Sequence, residues 1–583
     1  MRALADALFT AEGTRARTAK VEALAAALRT IAANEPARLP FAARLLTGTM
    51  LATDDERVLG AGGALLFEAA HRATGVSAQE IGERARRAGD LGTAVGEAIA
   101  MAGRDPDKTG LTLEDAETVA HALASTGSRS EKLNALCKAL ERCTPLEGRY
   151  LVRAILGEMR VGAKEGIVED AIAKAFGRTL EEVRRAAGLV TDVGELARLA
   201  SEDRLGEARV VLGRPLGFML ATPIETARGA DLTIPHAVED KIDGIRAQTH
   251  LSPEGVRIFA RGKGPVTTAF PDVTRPLAEA GLRPAILDGE LVVCTEDGRP
   301  RPFSAIQPRL KKSEPDEELV AAHPVRYLVY DILFEGDEPL IALPFLERRA
   351  RLVAWAERAP PPVVLHESRP LSTPDALDAE FDAARARGFE GLVLKRLDAV
   401  YAAGVRGFSW LKVKKAFATL DVVIVAAERG HGKRAGVLSD YTFAVWNGRS
   451  KLETVGKAYS GLTDVEIAEM TSRLESIALD EEKRGLLPVK PEIVLEVAFD
   501  GLQRSDRHTS GFALRFPRIA RIRDDKKPEE ADTLDAVKAL WEAQLASGHR
   551  EDAPKPPKKG GRKSGRRPDV RAKSKQLKLF DDD

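Results

Sequence analysis

The sequence predicts a multidomain chain: an all-α N-terminal domain, an α+β middle domain, a small β-barrel and a disordered basic tail. Three observations predict it. A chain of 583 residues is too long for one hydrophobic core, and about 150 residues per domain suggests three or four units. The apolar pattern changes period twice, from helical spacing up to about residue 205, to short β-type runs alternating with helices up to about 416, to short glycine-punctuated strands beyond. Finally, from His549 onward Pro, Lys, Gly and Arg replace apolar residues.

Residues 1–205 are rich in Ala, Leu, Glu and Arg at helical spacing, as in the run from Val21 to Leu28, with almost no β-branched clusters. Amphipathic helices are expected from Asp115 and over Gly166–Phe176, with Gly110 and Gly177 as breaks. In the second unit, 206–416, strands are expected at Val256–Ala260, Ala285–Val293, Val325–Leu333, Gly391–Lys395 and Trp410–Lys414, and helices at Phe345–Glu357 and Ala376–Arg387. In the third, 417–548, the runs Leu420–Ala426, Thr442–Trp446 and Ile493–Phe499 suit a five-stranded barrel of oligonucleotide-binding type, closed by a helix over Ala531–Ala546. The tail, 549–583, cannot build a core and is expected to be disordered.

Lys+Arg and Asp+Glu number 88 each, so any nucleic-acid affinity must come from local clusters. Two exist: eight Arg/Lys against three acids from Arg504 to Lys527, and eleven against Asp569 alone from Lys555 to Lys578. Cys137, Cys143 and Cys294 offer neither a disulfide framework nor a C-x-x-C zinc pair and read as buried thiols. The first residues reach Asp6 before any apolar run, and no stretch approaches 18 apolar residues, so a cytoplasmic protein with no membrane segment is expected.

The chemistry gathers on Glu239–His250. If this segment is extended, Glu239, Lys241 and Asp243 share one side, and after Gly244 so do Arg246, Gln248 and His250. Lys412 and Lys414 project together from Trp410–Lys414, a like-charge pair tolerable near anions or in water. Carboxylates beside glycines occur at Asp288-Gly289-Glu290 and Glu390-Gly391. One reactive lysine, two carboxylates for a hard divalent cation, an aromatic at Tyr330 and several cations together make a nucleotide site.

In order along the chain, Lys241-x-Asp243-Gly244-x-Arg246, Arg261-Gly262, Asp288-Gly289-Glu290, Tyr330-Asp331, Glu390-Gly391-Leu392-Val393-Leu394-Lys395, Lys412-Val413-Lys414 and Arg523-x-Asp525-Lys526 resemble the motifs of the covalent nucleotidyltransferases. Gln503-Arg504-Ser505, Leu514-Arg515-Phe516-Pro517-Arg518 and Met159-Arg160-Val161-Gly162 narrow the resemblance to three-domain ATP-dependent DNA ligases of the bacterial and archaeal type, over about residues 1–550. The resemblance implies a DNA-encircling helical domain, an adenylation domain and an OB-fold domain. It implies that Lys241 attacks the α-phosphate of ATP to give a lysyl-AMP, and that AMP then activates the 5′-phosphate of a nick in duplex DNA. Residue chemistry is compatible: the nucleophile must be a neutral amine, and Lys412, Lys414, Arg406 and a bound metal are expected to lower its pKa.

By the same resemblance Glu290 and Glu390 hold the ribose or a divalent cation, most simply Mg²⁺. Tyr330 stacks on adenine, Glu239 lies near its exocyclic amine, and Arg246 and Arg261 grip ribose or phosphate. Arg523, Asp525 and Lys526 orient the pyrophosphate leaving group. Three positions depart from the family pattern: Tyr330 where Phe is common, Ala260 where a serine often precedes the arginine, and Asp240, an acid beside the nucleophile that alternates away from it if the strand is regular. RNA ligases and GTP-dependent capping enzymes share the lysine motif, but the N-terminal helices and Leu514–Arg518 oppose both readings. An NAD-dependent ligase lacks support without a cysteine zinc site, and a dead DNA-binding scaffold would not be expected to keep Lys241, Glu290, Glu390 and Lys412. The resemblance implies a monomer at work on nicks in replication, repair or recombination, near the nucleoid. In the tail, Gln576, Leu577, Leu579 and Phe580 resemble the motif by which bacterial proteins dock on the sliding clamp.

Overall fold

The computed structural model describes residues 1–546 except 104–109, 225–230, 263, 296–297, 302, 313, 414–416, 431–433, 435, 449, 481 and 483–484. Lys414 and the tail residues Gln576, Leu577, Leu579 and Phe580 therefore lie outside the described residues.

The first part is helical, twelve α-helices among the described residues running from Arg2–Glu12 to Val193–Ser201 around one continuous apolar core. Its helix starts are written locally. Thr112 with Asp115, Thr144 with Glu147 and Thr179 with Glu182 each form a reciprocal capping box that satisfies two otherwise orphaned backbone donors. At the far end of Glu165–Phe176, Gly177 takes the left-handed conformation (φ 65°) that closes the helix. The helix Leu180–Leu189 touches the next unit so closely that a Cβ on Gly188 would lie 2.3 Å from the carbonyl of Ala403.

The middle part is two antiparallel-rich sheets laid against each other. Its strands are β1 (Leu220–Ile224), β2 (His236–Lys241), β3 (Ile245–Ser252), β4 (Gly255–Ala260), β5 (Gly264–Pro265), β6 (Ala285–Val293), β7 (Val325–Glu335), β8 (Glu338–Pro339), β9 (Val363–Leu365), β10 (Ser368–Pro370), β11 (Gly391–Arg396) and β12 (Arg406–Val413). One sheet runs β1-β12-β11-β2-β10, the other β5-β4-β3-β6-β7-β8 with β9 on β7. The outer face of the first sheet packs Val238, Leu392, Leu394, Leu411 and Val413 on the helix Leu377–Ala386. The outer face of the second packs Ala247, Leu287, Leu291 and Val329 beneath the helices Pro271–Glu279 and Phe345–Ala356. Between the inner faces sit Leu216, Met219, Ile286, Tyr330, Tyr401 and Trp410. The last strand begins at Arg406, four residues before the expected Trp410, because β1 pairs with it in parallel from Leu220↔Arg406 onward, and β1 has no sequence signal strong enough to announce it.

The final part is strand-rich and OB-like. Strands β13 (Ala418–Arg429), β14 (Leu438–Asn447), β15 (Lys451–Ala458), β16 (Leu486–Pro488), β17 (Val494–Phe499) and β20 (Arg518–Ile522) form one sheet in the order β15-β14-β13-β17-β20, with β16 on β13, and β18 (Gly501–Arg504) pairs with β19 (Phe512–Arg515) as a ribbon. The edges approach each other where the Ile519 amide donates to the Ser460 carbonyl at 2.9 Å. The sheet has six strands where five were expected, because β15 carries a half-polar pattern, Lys451-Leu-Glu-Thr-Val-Gly-Lys-Ala458, that reads poorly as strand until β14 covers its apolar face.

Two fully buried charges hold the middle domain's helix to its sheet. Arg348 donates Nε and Nη2 to Asp331 at 2.8 and 2.9 Å, both side chains at zero exposure, and Nη1 reaches the carbonyls of Leu343 and Ala399. Removing one partner of such a pair strands the other charge in a dry core. Arg348→Ala is expected to destabilise this domain by about 3–5 kcal/mol, read as a fall in the urea midpoint of unfolding at unchanged m-value.

Candidate active site

Lys241 ends β2, and its position follows from register. Gly391 is its cross-strand partner on β11, and the Glu390 amide donates to the Lys241 carbonyl at 2.9 Å, so Glu390 is carried to the lysine by the turn into that strand. The Lys241 Nζ donates to Glu390 Oε2. Across the cleft, Glu290 lies on β6 opposite Arg246 of β3. Gly244 permits the approach: a Cβ there would sit 2.5 Å from the Leu291 carbonyl and 2.7 Å from Glu290 Cγ.

Electrostatics separate these groups. Burial lowers the Lys241 pKa below the ordinary lysine value, while Glu290, Asp243 and Asp500 pull it back up. Burial pushes the Glu290 carboxyl up to about 7, against the opposing pull of Lys241 and Arg246. The lowering of Lys241 comes first from lost hydration, and Lys412, which feels the Lys241 charge, repels it in return. Lys412, half-buried on β12, is lowered by burial and then by the charges of Lys241, Arg406 and Arg261. Lys412, Arg406 and Arg261 together form a place that suits an anion.

Two of these cations are mounted on known elements. Lys412 faces the cleft because Val393 on β11 pairs with both Lys412 and Glu239, placing the three on one face of the sheet. Arg406 opens β12 and donates Nη1 to the Ala221 carbonyl on β1, and Arg261 follows β4 with its amide donating to the Arg246 carbonyl at 3.0 Å. Asp240 does alternate away from Lys241. It is bound on the far face by Arg369 and Arg387 at 2.8 and 2.7 Å, which hold its carboxyl below the usual range against the opposing effect of burial.

Other expected site residues are placed less simply. Arg246 is committed to Asp288, at 2.7 and 3.1 Å, and to the Met219 carbonyl at 2.6 Å, so its guanidinium stiffens the cleft wall. Tyr330 backs the same wall, 9% exposed, with its hydroxyl 3.3 Å from Asp288 Oδ1 and Lys395 Nζ 4.3 Å from its ring centre. Glu239 is buried and pairs with Lys395 at 2.7 Å. Arg523, Asp525 and Lys526 lie in the turn after β20 of the C-terminal domain, where Arg523 meets Asp421 at 2.9 Å and Asp525 at 2.7 Å and Lys526 meets Asp421, so their partners belong to that domain and not to the Lys241 cleft. Instead, the neighbouring ribbon touches the cleft: Arg515 Nη2 meets Asp243 at 3.1 Å, and Arg385 Nη2 reaches the Asp500 carbonyl at 3.5 Å.

Sequence reasoning missed Trp410, Tyr401, His366 and Lys395 as parts of this site. The lysine was inside a recognised motif but carried no assigned role, and the two aromatic residues and the histidine had no spacing signal that distinguishes a cleft wall from core. His366 Nε2 donates to the Asp240 carbonyl at 2.8 Å, bridging the two sheets directly behind the nucleophile. Gln248 holds both the amide and the carbonyl of Leu216, so the polar stripe of β3 faces not water but the connection into the first strand.

Two carboxylates beside the lysine, with no third acid or imidazole completing a cluster among the described residues, fit a hard divalent cation only if phosphate oxygens supply further ligands. Such an ion, when bound, would neutralise phosphate charge. A dehydrated amine facing an anion-binding group of cations suits transfer of a nucleotidyl group to nitrogen, and that class is narrowed by comparison with known proteins. Family models described as DNA ligase N terminus, ATP dependent DNA ligase domain and ATP dependent DNA ligase C terminal region match residues 1–173, 219–414 and 434–526. A probable DNA ligase of Koribacter versatilis is 42% identical over 569 residues, covering 94% of this chain and 97% of that protein. A DNA ligase of Thermococcus onnurineus is 37% identical over 517 residues, covering 86% and 91%. A solved structure named Pmar-Lig_PreS3, 15% identical, covers 89% of this chain and 99% of its own with a TM-score of 0.56, which bears on the fold alone. The chain belongs to the ATP-dependent DNA ligases.

The tight packing at Gly244 gives a test of geometry. Gly244→Ala is expected to displace Glu290 and the lysine turn by a few tenths of an ångström or more and to lower the rate of self-adenylation by about 10²-fold, with an unchanged circular dichroism spectrum.

Proposed function

We propose that this ligase seals 5′-phosphate/3′-hydroxyl nicks in duplex DNA through Lys241. The observation that carries the reading is the half-buried Lys241 amine, bonded to Glu390 and under the charge of Glu290, near the Lys412, Arg406 and Arg261 cations. The amine must shed a proton before attack; Glu390 Oε2, already its hydrogen-bond acceptor, is the nearest place for it. The Nζ–P bond forms at the α-phosphorus of ATP as the bond to the β-phosphate oxygen breaks and pyrophosphate leaves. A 5′-phosphate oxygen at the nick then attacks the same phosphorus and breaks the N–P bond. The 3′-oxygen attacks the activated 5′-phosphorus, and AMP departs. Lys412, Arg406 and Arg261 stabilise the charge on the transferring group, with Lys414 extending the set. Glu290 and Glu390 are proposed to hold the divalent cation, Mg²⁺ in the cell, and Tyr330 and Glu239 to face the base. Arg246 acts from behind, through Asp288.

In this reading the helical domain grips the duplex by phosphate contacts, and a monomer acts in replication, repair or recombination at the nucleoid in the cytoplasm. Among the described residues no helix is long and apolar enough to cross a membrane. The proposal that Gln576, Leu577, Leu579 and Phe580 dock on a sliding clamp rests on the sequence of the tail.

Lys241→Ala is expected to abolish both uptake of label from α-labelled ATP and nick sealing. Retained uptake of label would remove Lys241 from its role.

Arg523 and Lys526 reach a leaving group only if the C-terminal domain turns, because here they are spent on Asp421. Lys526→Ala is therefore expected to slow self-adenylation by about 10²-fold while changing the sealing of a pre-adenylated nick by less than about fivefold, since pyrophosphate has already gone. Equal losses in single-turnover measurements of the two steps would contradict this division.

A further inference from the structure

Lys395 has no part in the chemistry proposed above, yet its ammonium is enclosed. The residue is 1% exposed, and Nζ lies 4.3 Å from the ring centre of Tyr330, 4.4 Å from that of Trp410 and 4.9 Å from that of Phe345. Its polar contacts are Glu239 Oε2 at 2.7 Å and the Tyr330 carbonyl at 3.3 Å. Its ammonium is thus spent on protein groups. Burying an ammonium this completely is unfavourable without a partner, and three aromatic faces and one carboxylate are what make it tolerable.

Glu239 is its diagonal neighbour on the same sheet face, since Glu239 pairs with Val393 and Lys395 with Ala237. Lys395 occupies Oε2. The other oxygen, Oε1, is buried and finds no hydrogen-bond partner among the described residues. Of the nearby donors, His366 gives Nε2 to the Asp240 carbonyl at 2.8 Å and Arg349 gives Nη2 to the His366 carbonyl at 2.5 Å, while Arg349 Nη1 is also buried without a partner and does not bond Oε1. A buried carboxylate oxygen without a donor is costly, and a ligand that brings an N–H to it removes that cost. The same oxygen repels a ligand that brings another acceptor.

We propose that Lys395 is a positioning residue that sets base specificity: by holding Oε2 of Glu239 it presents Oε1 to the nucleotide as an acceptor only, so the site takes a purine with an amino group at C6 and rejects one with an oxo group there. The inference rests on Glu239 facing the base, as proposed above. Without the ammonium, the carboxyl is free to turn or to carry a proton, and it then offers a donor that a 6-oxo purine can use. The discrimination comes from a site built around one hydrogen-bond polarity, in which the wrong base leaves buried polar atoms opposed.

The test uses the full-length protein and the rate of self-nucleotidylation, as kcat/KM, with α-labelled ATP and with α-labelled inosine triphosphate, which differs at the C6 group without adding a 2-amino group. The wild-type protein is expected to prefer ATP strongly, and Lys395→Met to lower the ATP-to-inosine-triphosphate ratio by about tenfold or more. Glu239→Gln is expected to reverse the preference, because Lys395 holds the amide oxygen and turns its NH₂ toward the base. In Glu239→Gln with Lys395→Met the amide is no longer oriented, and the ratio is expected to return toward one by about tenfold. A merely structural role for Lys395 would lower both rates together and leave the ratios alone. A folded Lys395→Met with the wild-type ratio overturns the proposal. If that variant does not fold, the doubly neutral pair decides, and equal ratios in Glu239→Gln and the double variant overturn it. Glu239→Gln without any change of ratio overturns it at a different point, by removing Glu239 from the base, which separates failure of the site reading from failure of the role given to Lys395.

Discussion

The middle domain is organised by the need to compensate charge buried between and beneath its two sheets. Asp331 with Arg348, Asp288 with Arg246 and Glu239 with Lys395 place six ionised groups where water is nearly absent. Each carboxylate is on a strand, and each pairs with a cation on a different element or a neighbouring strand. The strength of this constraint lies in its asymmetry: exposed pairs such as Arg57 with Asp55 are screened by water and contribute little, whereas loss of one partner from a dry pair leaves an uncompensated charge and costs far more. The strands therefore cannot slip. A shift of one residue would turn each carboxylate away from its cation and each apolar neighbour out of its core.

Lys241 departs from this rule, and the departure suits it to the attack proposed for it. Its side chain is about one-fifth exposed and its contact is Glu390, at the mouth of the cleft rather than in its floor. Burial withdraws enough hydration to lower its affinity for a proton, while the nearby carboxylates limit the effect. The cations of the site are arranged on the opposite principle: Lys412 lies near enough to Arg406 and Arg261 to feel their charges, an arrangement suited to an anion. An amine among carboxylates on β2 and a group of cations on β12 and after β4 is a division of charge suited to bringing a polyanion to an amine.

The C-terminal domain meets this cleft through its ribbon. Arg515 pairs with Asp243, two residues beyond Lys241, while Arg523 and Lys526 are held by Asp421 within their own domain. The Arg515–Asp243 pair is a part-exposed ion pair between the two domains, where an individual contact is weak and exchange is cheap. That is the energetic condition for one face of a domain to be traded for another during a multistep reaction.

Much of the site was legible in the sequence because the relevant residues are local. Lys241, Asp243 and Gly244 lie in one turn, Glu290 follows Gly289, Glu390 precedes Gly391, and the strand Ala285–Val293 has the bounds its apolar pattern implies. Alternation also placed Asp240 on the face opposite Lys241, where Arg369 and Arg387 bind it. What the sequence could not determine is which distant groups meet. The cause of the lowered Lys241 pKa, the commitment of Arg246 to Asp288, the enclosure of Lys395 and the contact of Arg515 with Asp243 join positions 42 to 272 residues apart in sequence wherever a partner is named. A carboxylate's partner, and the amount of water left around an amine, depend on the packing of whole sheets, and only the tertiary structure decides that.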